Sequence, residues 1–407
     1  MNKEVRLTIP GKLFLAGEYA VTTPGQPALI AAVDHGMTIK GTLVEVSDVL
    51  YTSKPNKSGV LTKGAKQNNL NQQSVQTTPS SSEPLDFSVN RSWDDSHITV
   101  HSEQFDEPLQ VSVPTIASWS TQDIKENTWA FVKAALAIVV FEHGDWFKQQ
   151  ASEITLAIHS EMKTAEGKLG LGSSAAVTVA VVSALHRLFA SQQAGDETVD
   201  AKDAKLKAIF KEAAFAHYLV QGSGSLGDLA ASSHTGLIYY QAPAWIKQVH
   251  ARNLTLADFK TLDWTNLAIK KLNWPNSWQL SILATKEPAS TKKALGKKVD
   301  RGELLPHSAN AVQKAKAAFE AADYDALKQA LDQNQDALVD ALPAEYLTSR
   351  LKAFLALKND YSLAGKVSGA GFGDNGFWLT ERPLTEDEDQ QVEEAGLSQI
   401  KTTLFEA

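Results

Sequence analysis

From Leu169 to Ala180 the chain reads LGLGSSAAVTVA, with glycines at Gly170 and Gly172, hydroxyls at Ser173 and Ser174, then a small apolar run. Residues of these types bind anions in three different geometries. A Walker A loop needs a lysine directly after its last glycine. Gly167 and Gly172 have the right spacing, but Ser173 stands where that lysine must be. Gly170, Gly172 and Ala175 match a dinucleotide fingerprint formally. That loop must leave a strand directly, however, and about ten residues separate it from the strand-like EITLAIHS. No acidic residue for a ribose follows before Asp196. The third geometry is a glycine-rich loop feeding a helix N-terminus. There the backbone N–H groups of Gly170, Leu171, Gly172 and Ser173 can approach phosphate oxygens, and the helix adds partial positive charge. A serine hydroxyl can also ligate Mg2+. A helix start whose glycines serve only packing would read the same way. The segment alone leaves both readings open.

Composition narrows the classes of partner. The chain has 407 residues, a length that suggests two or three domains. Its formal net charge of -8, from 39 basic and 47 acidic residues, argues against binding to nucleic acid or to an anionic membrane. An anionic substrate must then be drawn in by local basic groups. Lys286, Lys292, Lys293, Lys297, Lys298 and Arg301 form one such cluster, though a run of charge is also what a solvated helix face looks like. Absence of cysteine excludes disulfides, thiolate metal sites and cysteine nucleophiles, and fits a reducing cytoplasm. The first residues, MNKEVRLTIPGKLFLAGEY, contain no apolar stretch long enough for a secretory signal. The longest apolar run, Ala134 to Phe141, is far shorter than the roughly 20 residues of a spanning helix. A cytoplasmic protein is expected.

Several elements must position these residues. Lys3 to Leu15 reads as a strand entering the tight segment GKLFLAGEY, and MTIKGTLVEV as a half-buried strand. The polar stretch 53–84 has too few large apolar groups to offset its ordering entropy and reads as a surface insertion. HITVHS, LQVSV and EITLAIHS are strand-like, and NTWAFVKAALAIVVFEHG is helical with Gly144 as a plausible cap. Ala175 to Ala190 reads as a buried helix and Asp203 to Val220 as an amphipathic one. GLIYY closes the first domain, and the boundary is expected at 243/244, giving domains 1–243 and 244–407. The second domain opens on the strand WQLSILAT, is helical from about His307 to Leu357, and ends in GFWLTE, an acidic helix and a strand near IKTTLF. Such an order makes an α+β protein with helices on one side of a sheet.

Three separated segments, GKLFLAGEYAV, GKLGLGSSAAV and KVSGAGFGDNGFW, resemble in order and spacing the GHMP kinase superfamily. With GSGSLGDLA and TKEPA they are most similar to the bacterial-type phosphomevalonate kinases. The resemblance implies an N-terminal domain like the second domain of ribosomal protein S5 and a ferredoxin-like C-terminal domain. It implies ATP and Mg2+ as cofactors, transfer of the γ-phosphoryl group to (R)-5-phosphomevalonate, and small-molecule partners. A mevalonate kinase or an inactive nucleotide-binding regulator is the alternative, and monomer or homodimer stays open.

By the same resemblance, Lys12 lies between the two substrates and Asp228 faces the acceptor. A phosphate monoester is already largely ionised at neutral pH, so Asp228 has no obligatory proton to take. Lys168, Gly170, Leu171, Gly172, Ser173, Ser174 and Ala175 would hold ATP, with Ser174 and Asp228 on Mg2+. Glu18, Tyr19, Ser225, Thr291, Ser368, Gly369, Ala370 and Gly371 would line the acceptor and the transferring phosphate. Three positions depart from the pattern. Asn375 stands where relatives often carry cysteine, and Phe372 stands where glycine is usual. A ring at Phe372 would narrow the site or swing outward over a nucleotide, which motivates the regulator alternative. His217 stands where mevalonate kinases carry a metal-binding glutamate. His217 reads as a packed helix residue.

Overall fold

The computed structural model describes residues 2–45, 93–149, 152–164, 167–190, 198–250, 253–286 and 299–406, with the backbone alone at 2, 163, 164, 167 and 168. The 53–84 insertion lies outside these residues.

Two long strands, β1 (Asn2–Ala16) and β2 (Pro27–Glu45), pair antiparallel along almost their whole length. The register shifts between Pro10 and Gly11. A bulge of this kind bends a strand and re-aims the side chains that follow it, here Lys12. Strands β3 (His97–Ser102), β4 (Leu109–Ser112) and β5 (Ser152–Ser160) extend the sheet from the second half of β2, with β3 and β5 parallel. Burial alternates along β5, as expected of a strand with one face on the core. A short hairpin, β6 (Lys163–Thr164) and β7 (Gly167–Lys168), fills the interval before the glycine loop.

After α1 (Val113–Ser118) and α2 (Thr121–Lys125), three helices cover the sheet: α3 (Ala130–Gln149), α4 (Ser173–Phe189) and α5 (Val199–Gln221). From Val132 to Val140, α3 is buried on all sides, as a helix between layers must be. The end expected at Gly144 coincides with a break in the helix. The backbone leaves helical geometry at His143 and then continues to Gln149. Helix α4 is built of alanine and valine, so it packs closely on β1 and β2.

The short α6 (Gly227–His234) packs on β1, and β8 (Leu237–Gln241) pairs with the first half of β2. Strand β9 (Ala268–Leu272) then pairs with β8. By strand pairing, the first sheet therefore reaches Leu272, beyond the boundary expected at 243/244. The Trp-rich stretch hid this, because its buried Trp245 and half-buried Trp264 pack against the first core rather than opening a new one.

The second sheet has the order β11-β12-β10-β13, all antiparallel, from β10 (Gln279–Ala284), β11 (Ala364–Val367), β12 (Gly376–Thr380) and β13 (Ser398–Thr402). Numbered within this domain the order is 2-3-1-4, that of a ferredoxin-like sandwich. Helices α7 (Arg301–Ala321), α8 (Tyr324–Ala341) and α9 (Ser349–Asp360) join its first two strands, and α10 (Glu386–Glu394) joins the last two. The chain's last residues return to the first sheet, where Leu404 bridges Val33 and the N–H of Phe405 donates to the Ala32 carbonyl at 2.9 Å. The two domains are thus stitched by backbone bonds.

One buried histidine makes the acid stability of this frame predictable. At the end of α6, burial first, then the nearby lysines Lys271 and Lys207, lower the His234 pKa to about 4, against the Ala230 backbone bond and Asp203. The unfolded chain therefore takes up more protons between pH 6.5 and 4, so stability is full above 6.5 and falls as pH drops through that window. The loss from this group is expected to reach about 3 kcal/mol. Urea unfolding of wild type and His234→Gln across that range checks it. Parallel slopes would exclude His234 as a source.

Candidate functional site

The glycine loop comes down beside β1, and a backbone bond sets the contact. The Lys12 N–H donates to the Leu171 carbonyl at 3.0 Å, and Lys12 Nζ donates to the Gly170 carbonyl at 3.1 Å. Gly170 and Gly172 both take left-handed backbone, with φ of 67° and 81°. Neither has room for a side chain. A Cβ at Gly172 would lie 3.1 and 3.3 Å from Lys12 Cγ and Cε and 3.6 Å from Asp228 Cβ, and one at Gly170 would lie 2.8 Å from Asp374 Oδ1. Lys12, Asp228 and Asp374 therefore converge on the loop from a strand, a helix and a turn.

Gly172 is the N-cap of α4 and offers no capping side chain. The first backbone N–H groups of the helix are left for an external acceptor. Ala175 and Ala176 behind them are fully buried, which seats the helix on the sheet, and Leu171 is buried with them. Ser173 opens the helix, and Ser174 Oγ faces His217 Nε2 at 3.1 Å. His217 is buried, stacked on Phe131 at 4.9 Å, and its Nδ1 has no partner. Burial lowers its pKa against the pull of Asp228, so the ring is neutral. A proton on Nε2 leaves only an acceptor unpaired at Nδ1, which costs less than a buried free donor. Ser174 then accepts from His217 and keeps its own hydroxyl proton for another acceptor. The expectation of a packed helix residue holds for His217, but the ring also orients Ser174, which sequence reasoning missed.

Asp228 sits half-buried in the first turn of α6 and accepts the N–H of Leu229 at 3.1 Å. The turn before it is held by Ser225. Its Oγ accepts the Gly227 N–H at 3.3 Å and its carbonyl accepts Tyr240 Oη at 2.6 Å. Leu226, the N-cap, is a buried non-glycine residue with φ of 65°. Such a conformation persists only where packing over-determines it.

The third glycine segment folds as a tight turn around Asp374. Its Oδ2 accepts the Ala370 N–H at 2.9 Å, and a Cβ at Gly369 would lie 2.5 Å from that oxygen. Burial raises the Asp374 pKa, while the charge on Lys12 and the Ala370 bond oppose the rise. Asn375 Nδ2 donates to the Leu169 carbonyl, and the Ser368 N–H to the Asn375 carbonyl at 2.9 Å. Asp374 thus holds the turn of the second domain, and Asn375 ties it to the glycine loop of the first. Sequence reasoning gave Asp374 no role, although an acid behind several glycines was its signal. A side chain at Gly371 would collide with Tyr346 at 2.2 Å, so that turn lies flat on the second core.

Phe372, the departure that threatened to narrow the site, has φ of 55° and is buried in the second core. Its ring meets Tyr346 edge-on at 6.2 Å. The aromatic therefore supports the turn from behind.

Glu18 and Tyr19, expected to line the acceptor, both bond to the second domain. The carboxylate of Glu18 is buried and pairs with Lys366 Nζ at 2.5 Å. Tyr19, half-buried, donates its hydroxyl to the Ala370 carbonyl at 2.5 Å. Burial first, then Asp374 and Glu18, raises the Tyr19 pKa, so it stays a donor. Both are ties between the domains, made because the GEY turn falls where the second sheet abuts the first. The side chain of Lys168 and the whole of Thr291, Lys292, Lys293, Lys297 and Lys298 lie outside the described residues. Of that basic cluster, Arg301 donates to Thr22 and Thr23 Oγ1 at 3.1 and 2.9 Å. A concavity of about 530 Å³ on the open sheet face, lined by Arg6, Lys40 and Phe105 among others, includes none of the glycine segments.

Residues 130–236 match the model of the GHMP kinases N terminal domain, and residues 315–398 match that of the GHMP kinases C terminal domain. A phosphomevalonate kinase of Streptomyces sp. (strain CL190) is 27% identical over 391 residues, covering 93% of this chain and 90% of that protein. Among solved structures, the Lin0012 protein of Listeria innocua superposes with a TM-score of 0.73 at 23% identity, over 99% of this chain and 98% of that one. The Streptococcus pneumoniae phosphomevalonate kinase in complex with phosphomevalonate and AMPPNP superposes with a TM-score of 0.69 at 21% identity, over 98% of this chain and all of that one. These last two likenesses are of fold. With both of its domains matched by the family's own models, and glycine loop, lysine and aspartate brought together in one cleft, this chain belongs to the GHMP kinases.

Proposed function

We propose that this chain is an ATP-dependent phosphomevalonate kinase. It would transfer the γ-phosphoryl group of ATP to the phosphate of 5-phosphomevalonate, releasing 5-diphosphomevalonate and ADP. The observation that carries a phosphoryl transfer is the placement of Lys12 Nζ against the Gly170 carbonyl, with Asp228 across Gly172. A cation and a carboxylate then flank a helix start whose N–H groups are uncapped. The choice of acceptor is supported by the likeness to the Streptomyces enzyme along nearly the whole chain.

Phosphoryl transfer asks the protein for alignment and charge neutralisation more than for covalent help. The loop from Gly170 to Ser174 would hold the ATP phosphates with backbone N–H groups and the free Ser174 hydroxyl. Lys12 would shift from the Gly170 carbonyl to the oxygens passing between the two phosphates, where charge grows in the transition state. Asp228 would orient the acceptor without removing a proton. The residues that would hold Mg2+ are Ser174 and Asp228. Asp228 lies beside Gly172, two residues before Ser174, and His217 backs Ser174, so hydroxyl and carboxylate oxygens of the kind a small hard cation takes stand near the loop. When bound, the ion would supply neutralisation of the β- and γ-phosphate oxygens.

A coupled ADP-release assay with mevalonate and 5-phosphomevalonate side by side tests the reading. Turnover with the phosphorylated acceptor is expected to exceed that with mevalonate by at least about 100-fold, because a site built for a second phosphate leaves its cationic groups unpaired without it. Turnover with mevalonate alone would overturn the choice of acceptor. Failure of both, with ATP still bound, would favour a nucleotide-binding regulator. The motive for that alternative was Phe372, whose ring is buried in the second core.

A further inference from the structure

Away from the cleft, three helices of the first domain turn ligating atoms toward one point. His143 stands at the kink of α3, with φ of -114° and ψ of 22°, His186 in the last turn of α4, and Glu212 within α5. Glu212 Oε1 lies 3.4 Å from His143 Nε2, and Oε2 lies 2.9 Å from His186 Nε2. All three donor groups fall within 4.8 Å of one another. The two imidazoles meet edge to face at 4.8 Å. The side chains of Glu212 and His186 are only 7% and 11% exposed, while His143 at 33% leaves an open side.

We infer that His143, His186 and Glu212 form a binding site for one divalent transition-metal ion, zinc in the first place. Water would complete the coordination on the side of His143. Two imidazole nitrogens and one carboxylate are a zinc donor set, with bonds of about 2.0–2.2 Å and donor atoms roughly 3.3 Å apart in a tetrahedral shell. The histidine–glutamate separations already match that spacing. Small rotations of the rings bring the two nitrogens to it.

Nothing else in the chain competes for such an ion through sulfur, since there is no cysteine. Magnesium prefers oxygen donors, so the ion of the kinase reaction does not belong here. An ion at this point would cross-link α3, α4 and α5 behind the sheet. Ser174 and His186 are twelve residues apart on α4, about 18 Å along its axis. The site is therefore separate from the cleft and independent of the proposed reaction. Without metal, the same groups amount to a carboxylate satisfied by two imidazoles, and metal binding separates the two cases.

The test uses the full chain without an affinity tag, stripped with a chelator and free of nucleotide at pH 7.5. Titration calorimetry with zinc chloride is expected to saturate at one ion per chain, with a melting temperature that rises with zinc concentration. Glu212→Gln and His186→Gln should each weaken binding by about tenfold or more. Cobalt(II) should give the intense visible bands of four-coordinate nitrogen–oxygen ligation in the wild type. That spectrum decides the question even if a variant fails to fold. Absence of zinc binding up to about 1 mM, unchanged affinity in both folded variants, or only the weak spectrum of hexa-aquo cobalt would overturn the site.

Discussion

Lys12→Ala is expected to lower kcat by about 10²–10³-fold, the loss seen when one positioned donor to a developing charge is removed. The physical reason lies in the position of the side chain. Its stem runs against Gly172, and its ammonium rests on the Gly170 carbonyl beside the uncapped start of α4. Asp374 feels its charge, but the ammonium's hydrogen bond goes to a backbone carbonyl that an anion can displace. The melting temperature should move little, because the substitution removes one hydrogen bond from an exposed atom. Lys12→Arg should not restore activity. A guanidinium fork needs a wider seat than the stem over Gly172 provides. Steady-state kinetics with nucleotide binding measured in parallel checks both. A fall in nucleotide affinity with unchanged kcat would place Lys12 in ground-state binding and not in transfer.

Glu18→Ala should destabilise the protein by about 3–5 kcal/mol, since removing one partner strands a buried charge on the other. Lys366 Nζ is fully buried in β11, with the Glu18 carboxylate and the Val367 carbonyl as its hydrogen-bond partners. Burial lowers the pKa of Lys366 and the carboxylate pulls it back up. The joint replacement Glu18→Leu with Lys366→Met should recover much of the stability, because two apolar chains leave no charge uncompensated. Denaturant unfolding of Glu18→Leu, Lys366→Met and the pair forms a double-mutant cycle. It also separates two roles for Glu18. A residue contacting the acceptor would raise KM and leave the unfolding midpoint in place, whereas the buried tie predicts the reverse.

Much of the cleft was legible because its chemistry is carried by backbone. Gly170 and Gly172 must be glycine for the loop to pass beside Lys12 and Asp374, so the motif names its own geometry. Local rules likewise placed α4, α5 and β5 within a few residues, since burial period and caps are properties of short segments. The break in α3 beside Gly144 was legible, but not the helical stretch beyond it. Glycine commonly marks a helix end, and nothing local signals that the chain resumes its helix after a kink. The extent of the first sheet was hidden for a related reason: β9 joins it only by pairing with β8.

By itself, the sequence determined the glycine loop, the helix start that follows it and the α+β order of elements. Residue type and spacing along the chain suffice for these, because loop conformation and helix start are local. Only the tertiary structure decided that Glu18 and Tyr19 are ties to the second domain, that Asn375 joins the two glycine turns, and that Phe372 turns into the second core. Each of these depends on a partner hundreds of residues away or on which side of a turn faces the core. His143, His186 and Glu212 belong to the same class. Three helices had to pack before their donors could meet, and no spacing in the chain records that meeting.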